Sequence, residues 1–239
     1  MLPSADEILE RAHVVALPMA VKFRGVTTRE ALLIDGPAGW GEFSPFTEYG
    51  PQESAAWLAA GIEAAFTGLP EAHGEVEVNG TIPAVEDVEP VLARYPGVST
   101  FKIKVAEKGQ SLDDDLRRVN AVRRLRPDAT LRVDANRGWS VAEAVEAAEK
   151  LGELEYIEQP CATVEELAEV RRRTSIPIAA DESIRRAADP YRVAELQAAD
   201  VAVCKVAPLG GVDKLLRIAR DLDPVSYTHL RAHETRGNL

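Results

Sequence analysis

Charged residues recur at regular intervals through the middle of the chain, each at or near the end of a short apolar run. They are Lys102, Lys104, Asp134, Glu158, Asp181 and Lys205. From Lys104 onward the spacing is roughly 30 residues and then about 24 three times, the length of one strand, one helix and two loops. Carboxylates that end neighbouring strands suit a divalent cation, and lysines beside them can act as bases. The pattern predicts chemistry on a small carboxylate substrate.

Lys102 and Lys104 lie two residues apart on one predicted strand, so both side chains point to the same side. Two ammonium groups this close lower each other's pKa, and a nearby divalent cation lowers it further. A lysine placed in this way becomes a base near neutral pH. Lys205 ends a later predicted strand, and we predict that it faces Lys104 across the site.

Asp134, Glu158 and Asp181 end three successive predicted strands, so we expect them to lie side by side. Three clustered carboxylates repel one another unless a cation is present. Three oxygen ligands suit magnesium, which keeps its other positions for water and substrate. In the predicted reaction a substrate carboxylate binds the metal, a lysine removes the proton alpha to it, and the second lysine helps to hold the enediolate.

Gly210 and Gly211 follow Lys205 and precede a predicted helix. Glycines let the backbone approach a ligand, and the amides at a helix start favour an anion. We therefore predict that this pair contacts the substrate, although an ordinary turn between strand and helix would also use glycines.

The elements that must position these residues are alternating strands and helices. The predicted strands are Phe101–Val105, Leu131–Asn136, Tyr156–Pro160, Ile178–Ser183 and Val201–Lys205. The predicted helices are Leu112–Leu125, Val141–Leu151, Thr163–Arg173, Asp189–Gln197 and Val212–Asp221. The acidic run Asp113–Asp115 is favoured at a helix start by the helix dipole. The repeat predicts an α/β fold, a (β/α) barrel whose strand ends line one mouth.

Domain boundaries follow from where the repeat begins and stops. Residues 1–77 predict a small α+β domain, and residues 78–222 predict a barrel with room for about six of the usual eight units, hence truncated at its C-terminus. Residues 223–239 break the apolar pattern and are predicted to be a non-native tail. His229 and His233 in this tail have the spacing of a metal pair, but no third ligand lies near them in the sequence, so we assign them no metal.

The α+β domain is predicted from four features of the first 77 residues. These are a strand at His13–Leu17, a polar loop at Lys22–Thr28, a hairpin of Ala31–Asp35 with Gly39–Phe43, and a helix at Glu53–Phe66. The hairpin is indicated by the Gly-Pro-Ala turn between two apolar runs, and the helix by apolar residues at helical spacing.

Composition excludes several classes of protein. The 239 residues are 46% hydrophobic, which is typical of a globular protein, and the net charge of -11 argues against nucleic acid or an anionic membrane as a partner. Two cysteines, Cys161 and Cys204, are too few for a disulfide framework and fit a reducing compartment. No apolar stretch approaches the roughly 18 residues of a membrane span. We therefore predict a cytoplasmic protein.

Taken together, five motifs resemble the enolase superfamily, muconate-lactonizing subgroup. They are Lys102-Ile103-Lys104, Asp134-Ala135-Asn136, Glu158-Gln159-Pro160, Asp181-Glu182-Ser183 and Lys205. Within this superfamily, residues 1–222 are similar to the actinobacterial o-succinylbenzoate synthases. Further stretches carry that similarity: Gly39–Phe46, Tyr156–Cys161 and Lys205–Gly211.

The resemblance implies a barrel with an N-terminal capping domain and a metal-dependent carbon–oxygen lyase of menaquinone biosynthesis. The implied reaction is the syn dehydration of 2-succinyl-6-hydroxy-2,4-cyclohexadiene-1-carboxylate to 2-succinylbenzoate. By this resemblance Lys104 is the base and then the acid, Lys205 stabilises the enediolate, and Lys102 supports Lys104 and the carboxylate.

The metal ligands and one further substrate contact also follow from the resemblance. Asp134, Glu158 and Asp181 would bind one Mg²⁺ ion, and Asn136 would contact the substrate.

Three other interpretations stay open at this point. Two opposed lysines would serve an N-succinylamino acid racemase or a dipeptide epimerase equally well, one on each face of the alpha carbon. An open barrel exposes two sheet edges, which favours aggregation and an inactive fragment. A Schiff-base aldolase would use one lysine but leaves the three carboxylates unexplained.

Overall fold

The computed structural model describes residues 2–23, 26–71, 78–185 and 190–222, and these divide into two compact units. The first unit contains the described residues of Met1–Glu75 and Cys204–Ile218, and the second contains those of Val76–Val203 and Ala219–Gly237. The predicted non-native tail, with both of its histidines, lies outside the described residues. The predicted domain boundaries near residues 77 and 222 adjoin undescribed segments and stay predictions.

The first unit is built on a three-stranded antiparallel sheet in the order β1–β2–β3. Its strands are β1 Ala12–Phe23, β2 Val26–Gly36 and β3 Gly39–Phe43. The predicted hairpin forms, because Gly36 pairs with Gly39 across a two-residue turn.

The predicted polar loop at Lys22–Thr28 is wrong where it is described. Strand β1 runs on to Phe23 and β2 begins at Val26, while Arg24 and Gly25 lie outside the described residues. Antiparallel backbone pairing, such as that between Phe23 and Val26, needs no apolar side chains, so the polar character of this stretch does not end the strands.

Helices pack on this sheet at a point of close backbone approach. The helices in the N-terminal part of the first unit are α1 Ala5–Glu10 and α2 Pro51–Ile62, which continues as one π-helical turn over Glu63–Thr67. A Cβ atom added to Gly41 of β3 would lie 2.0 Å from the carbonyl oxygen of Gly61 in α2. Only glycine at this position lets strand and helix approach so closely.

The second unit is a parallel sheet of six strands that follow one another in chain order. They are β4 Asn79–Ile82, β5 Thr100–Lys104, β6 Thr130–Asp134, β7 Tyr156–Glu158, β8 Ile178–Ala180 and β9 Val201–Ala202. The predicted strand–helix repeat is therefore confirmed. The predicted strands were too long at their ends, so that Asp181 and Lys205 follow β8 and β9 instead of belonging to them.

Helices alternate with these strands. They are α3 Glu89–Leu92, α4 Leu112–Leu125, α5 Val141–Leu151, α6 Val164–Arg173, α7 Glu182–Arg185 and α8 Arg192–Glu195. After β9 come α9 Val206–Leu209 and α10 Val212–Leu222. Of the predicted helix Asp189–Gln197, α8 is the helical part that the structure describes, and Asp189 lies outside the described residues. Helix α7 was not predicted, because its first two residues, Glu182 and Ser183, were assigned to the preceding strand.

Capping boxes fix where the three long helices begin. In each box a serine or threonine accepts the backbone N–H three residues later, and the acid at that later position accepts the N–H of the capping residue. The pairs are Ser111 with Asp114, Ser140 with Glu143, and Thr163 with Glu166. Because these caps set the helix starts, they also set the length of the loops that leave β5, β6 and β7.

Most residues of β5 to β9 are buried, as in parallel sheets that are covered on both faces. Ile103, Val133 and Ile157 are fully buried, and charged residues of the same strands are buried with them. None of the helices in the described ranges is both long and apolar enough to cross a bilayer.

Candidate active site

Strand register brings three of the predicted site residues together at the carboxyl ends of neighbouring strands. Lys104 of β5 pairs with Asp134 of β6, and Asp134 pairs with Glu158 of β7. Because in-register residues of parallel strands point to the same face, their side chains converge. The geometry of the site is therefore a direct result of how β5, β6 and β7 pair.

Lys102 is the buried cation of this cluster. Its Nζ donates to the two carboxylate oxygens of Glu158 at 3.1 and 3.0 Å and lies 3.6 Å from Oδ2 of Asp134. Burial by itself lowers the pKa of Lys102, but the charges of Glu158 and Asp134 raise it, and the net pKa lies above the ordinary value. The predicted lowering of the pKa by a neighbouring ammonium is wrong for Lys102, because carboxylates are its closest charged neighbours. The carboxylates around Lys102 thus favour its charged form.

Lys104 lies at the solvent-reachable edge of the same cluster, with 28% of its side chain exposed. Its Nζ donates to Oδ2 of Asp134 at 2.5 Å and to Oδ1 of Asn136 at 2.7 Å. Asn136 has a left-handed backbone, with φ 45°, and its own N–H donates to Oδ1 of Asp134 at 3.0 Å. This turn after β6 brings the Asn136 side chain onto the lysine, so the amine is held from two sides.

Asp181 lies just beyond β8, where an arginine binds it. Nε of Arg185 donates to Oδ1 of Asp181 at 2.8 Å, and an Nη atom of the same arginine donates to Oε1 of Glu182 at 2.6 Å. All three side chains are buried. The spacing of four residues between Asp181 and Arg185 is that of a helical ion pair, and it was the signal by which the sequence could have revealed this partner.

Gln159 ties the end of β7 to the loop that carries Asp181. Its Oε1 accepts the backbone N–H groups of Asp181 at 3.0 Å and Ser183 at 3.1 Å. Its Nε2 donates to Oγ of Ser183 at 2.7 Å and to the carbonyl of Cys161 at 3.1 Å. Sequence reasoning assigned no role to this residue, although a polar amide inside a buried run is a sign that the side chain has fixed partners.

The predicted metal ligands are bound to cationic side chains. Among the described residues, no group of three or more His, Cys, Asp or Glu side chains is arranged to hold a metal ion. The cations are Lys102, Lys104 and Arg185, and their partners are Asp134, Glu158, Asp181 and Glu182. Oε2 of Glu182 is a buried oxygen with no hydrogen-bond partner within the described ranges.

Lys205 precedes α9 and belongs to the first unit, not to the unit that contains Lys104. That Lys205 faces Lys104 across one site stays a prediction. Beyond Lys205 the chain passes through Gly210 and Gly211, whose φ angles are 93° and 128°, conformations that side chains rarely adopt.

The backbone N–H groups that follow these glycines already bind a carboxylate of this chain. The carboxylate of Glu63 accepts the backbone N–H groups of Val212 at 2.5 Å and Asp213 at 2.9 Å. A Cβ atom on Gly211 would collide with that carboxylate. The glycine therefore makes room for Glu63, and contact of Gly210 and Gly211 with a substrate stays a prediction.

Comparison with known proteins first identifies the superfamily. Residues 14–65 match the family model described as Enolase N-terminal domain-like, and residues 85–223 match the one described as Enolase C-terminal domain-like. The muconate lactonizing enzyme from Pseudomonas putida has the same fold, with a TM-score of 0.72 and 23% identity over 91% of this chain and 77% of that one. The fold is that of the enolase superfamily.

A second solved structure has the same fold. It is an enolase from Bradyrhizobium in complex with magnesium and mandelic acid, with a TM-score of 0.74 and 20% identity over 92% of this chain and 80% of that one.

Proteins of similar sequence identify the family within this superfamily. A protein of Mycolicibacterium smegmatis is 62% identical over 93% of this chain and 70% of its own length, and one of Mycobacterium leprae is 61% identical over 93% and 68%. A protein of Mycobacterium tuberculosis is 60% identical over 92% and 68%. Each is named o-succinylbenzoate synthase. The chain belongs to the o-succinylbenzoate synthase family of the enolase superfamily.

The two lysines of β5 should differ in their effect on stability. Lys102→Met leaves the buried carboxylate of Glu158 without its cation, so we expect the free energy of unfolding to fall by about 3–5 kcal/mol. Lys104→Met is the matched control and should cost less, because Asp134 keeps Lys102 at 3.6 Å. Urea denaturation in the presence of a chelator measures both. Equal losses, or a larger loss for Lys104→Met, would contradict this account of the cluster.

Proposed function

We propose that this protein catalyses the magnesium-dependent dehydration of 2-succinyl-6-hydroxy-2,4-cyclohexadiene-1-carboxylate to 2-succinylbenzoate, in the cytoplasm. The observation that carries the proposal is the identity of 60–62% over more than nine-tenths of the chain with relatives named o-succinylbenzoate synthase. The site supports it, because the charged cluster contains one partly exposed lysine beside buried carboxylates.

Lys104 is the base in this proposal, and the contrast with Lys102 supports that choice. Lys102 is buried and donates to both carboxylate oxygens of Glu158, and this carboxylate favours the ammonium form and raises the pKa of Lys102 above the ordinary value. Lys104 is partly exposed and is oriented by Asp134 and Asn136. The proton that Lys104 removes from the carbon alpha to the carboxylate is then returned to the leaving hydroxide on the same face. One water molecule leaves, and the elimination is syn.

Asp134, Glu158 and Asp181 are proposed to hold the magnesium ion. When bound, magnesium supplies positive charge that stabilises the charge developing on the substrate carboxylate. Asp134 and Glu158 fit such an ion, because both carboxylates reach the same positive charge, Nζ of Lys102, at 3.6 and 3.0 Å. Within the described residues, Oε2 of Glu182 is buried without a hydrogen-bond partner, and a buried carboxylate oxygen of this kind also favours an additional cation.

The other predicted residues have supporting roles in the proposal. Lys102 contributes a fixed positive charge towards the substrate carboxylate, and Lys205 stabilises the enediolate. Asn136 contacts the substrate and orients Lys104 through the 2.7 Å hydrogen bond. Gly210 and Gly211 let the backbone lie close to the substrate.

A spectrophotometric dehydration assay tests the function. It is run with and without magnesium on this chain and on a form extended through two further strand–helix units, which the predicted eight-unit barrel would still need. We expect dehydration that a chelator abolishes and magnesium restores. Activity only in the extended form also supports the site assignment. Racemisation of N-succinylamino acids without dehydration, or activity in neither form, contradicts the proposal.

Lys104→Ala should abolish turnover, because loss of a general base alone costs about 10²–10⁴-fold. Magnesium affinity, measured by titration calorimetry, should change little. Lys108→Ala is the matched control, since Lys108 is exposed in the loop after β5. Near-normal turnover in Lys104→Ala would show that the base is a different residue.

Asp181→Ala should weaken magnesium binding, because it removes one of three proposed ligands. The concentration of magnesium that gives half-maximal activity should rise, whereas Asp128→Ala, at an exposed position, should leave it unchanged. An unaltered magnesium dependence in Asp181→Ala would rule Asp181 out as a ligand.

A further inference from the structure

A buried ion pair in the first two turns of α4 contacts the backbone of Lys104, the proposed base. An Nη atom of Arg118 is 2.8 Å from Oδ1 of Asp115, and the side chains are 3% and 1% exposed. The helix dipole accounts for acidic residues at this helix start, but Asp113 is exposed and Asp115 is not. The burial of Asp115 needs a separate explanation.

Arg118 is bound on several sides at once. Its Nε donates to the carbonyl of Val85 at 3.1 Å, and one Nη atom donates to the carbonyl of Lys104 at 2.9 Å as well as to Asp115. The second Nη atom donates to Oε1 of Gln110. A guanidinium has five N–H donors in a rigid fork, so these contacts fix both its position and its plane.

Asp115 binds the same stretch of backbone, Lys104 to Ala106, at its other end. Its Oδ2 accepts the backbone N–H of Ala106 at 3.0 Å. Ala106 has a left-handed backbone, with φ 57°, which is unfavourable for a residue with a side chain. The pair therefore holds the carbonyl of Lys104 and the amide of Ala106, and it stabilises the sharp turn that the chain makes immediately after the lysine.

We propose that Asp115 and Arg118 are positioning residues for Lys104. They fix the backbone on the carboxyl side of the lysine, while Asp134 and Asn136 orient its amine. A buried ion pair contributes little net stability, because desolvation offsets the attraction between its charges. The contacts of this pair with two backbone groups instead specify geometry. The catalytic role of Lys104 rests on the proposed function. The contacts of Asp115 and Arg118 with the backbone around Lys104 do not depend on that function.

Arg118→Gln is the informative variant, because the next residue provides a matched control. Arg117 forms an ion pair with Asp114 at the same spacing on the same helix, but its side chain is 72% exposed. Arg117→Gln therefore makes the same chemical change without touching the backbone near Lys104. Arg118→Lys is a third variant, which keeps the charge and loses the fork.

Amide hydrogen exchange tests the backbone hold without any need for activity. In Arg118→Gln the amide of Ala106 should exchange at least about tenfold faster than in the unchanged protein, because its acceptor loses the arginine that orients it. Arg117→Gln should leave this amide unchanged, and Arg118→Lys should fall between the two. If Arg118→Gln does not fold, Arg118→Lys against Arg117→Gln decides the question. Exchange at Ala106 that is equal in the Arg118 variants and in Arg117→Gln overturns the proposal.

Kinetics tests the consequence for catalysis. In the form that dehydrates the substrate, Arg118→Gln should lower kcat by about 10–100-fold with little change in KM, because small misplacements of a reacting group are costly. The isotope effect on kcat with substrate deuterated at the alpha carbon should rise, since proton removal becomes slower. A variant that merely contains less folded enzyme would lower kcat with the isotope effect unchanged, and that result overturns the catalytic part.

The two proposals fail in different ways. If the unchanged protein does not dehydrate the substrate in either form, the proposed function is wrong, while amide exchange still decides whether the pair holds the backbone. If dehydration occurs and Arg118→Gln behaves like Arg117→Gln, the function stands and this inference is wrong.

Discussion

The buried ion pair between Lys102, in the middle of β5, and Glu158, at the end of β7, is the interaction on which the rest of the site depends. Neither charge tolerates burial alone, and each offsets the desolvation cost of the other. The pair also constrains the sheet, because a slip of one residue in the pairing of β6 with β7 would turn one set of side chains to the opposite face. With the register fixed, Lys104 and Asp134 have one geometry available to them.

The sequence was sufficient for the parallel sheet and its long helices because these follow from periodic, local features. Helices α4 and α5 begin and end as predicted, since Ser111 and Ser140 supply capping boxes. The end of β8 could not be predicted in the same way. There the amide of Gln159 and the guanidinium of Arg185 bind residues far away in the chain or on the next turn, and these contacts draw the backbone out of the strand. No periodicity encodes them.

For the site, the sequence identified which residues lie close together, but not which charges lie nearest to each of them. It placed Lys102, Lys104, Asp134 and Glu158 at neighbouring strand ends, and the structure brings them together. It predicted a lowered pKa for Lys102, whereas the closest charges to that lysine are carboxylates and its pKa is raised. The direction of such a shift depends on distances of a few ångströms between strands, which spacing along the chain does not supply.

The carboxylate of Glu63 at the start of α10 has a consequence for recombination between homologues. Glu63 lies in the N-terminal part of the chain, and the glycine that accommodates it lies at Gly211, in the segment Cys204–Ile218. A chimera that takes its N-terminal part from a distant homologue would separate the acid from the turn shaped around it. Residue 63 and residues 211–213 should therefore come from the same parent protein. A crossover between them would alter the start of α10, which follows the proposed catalytic residue Lys205.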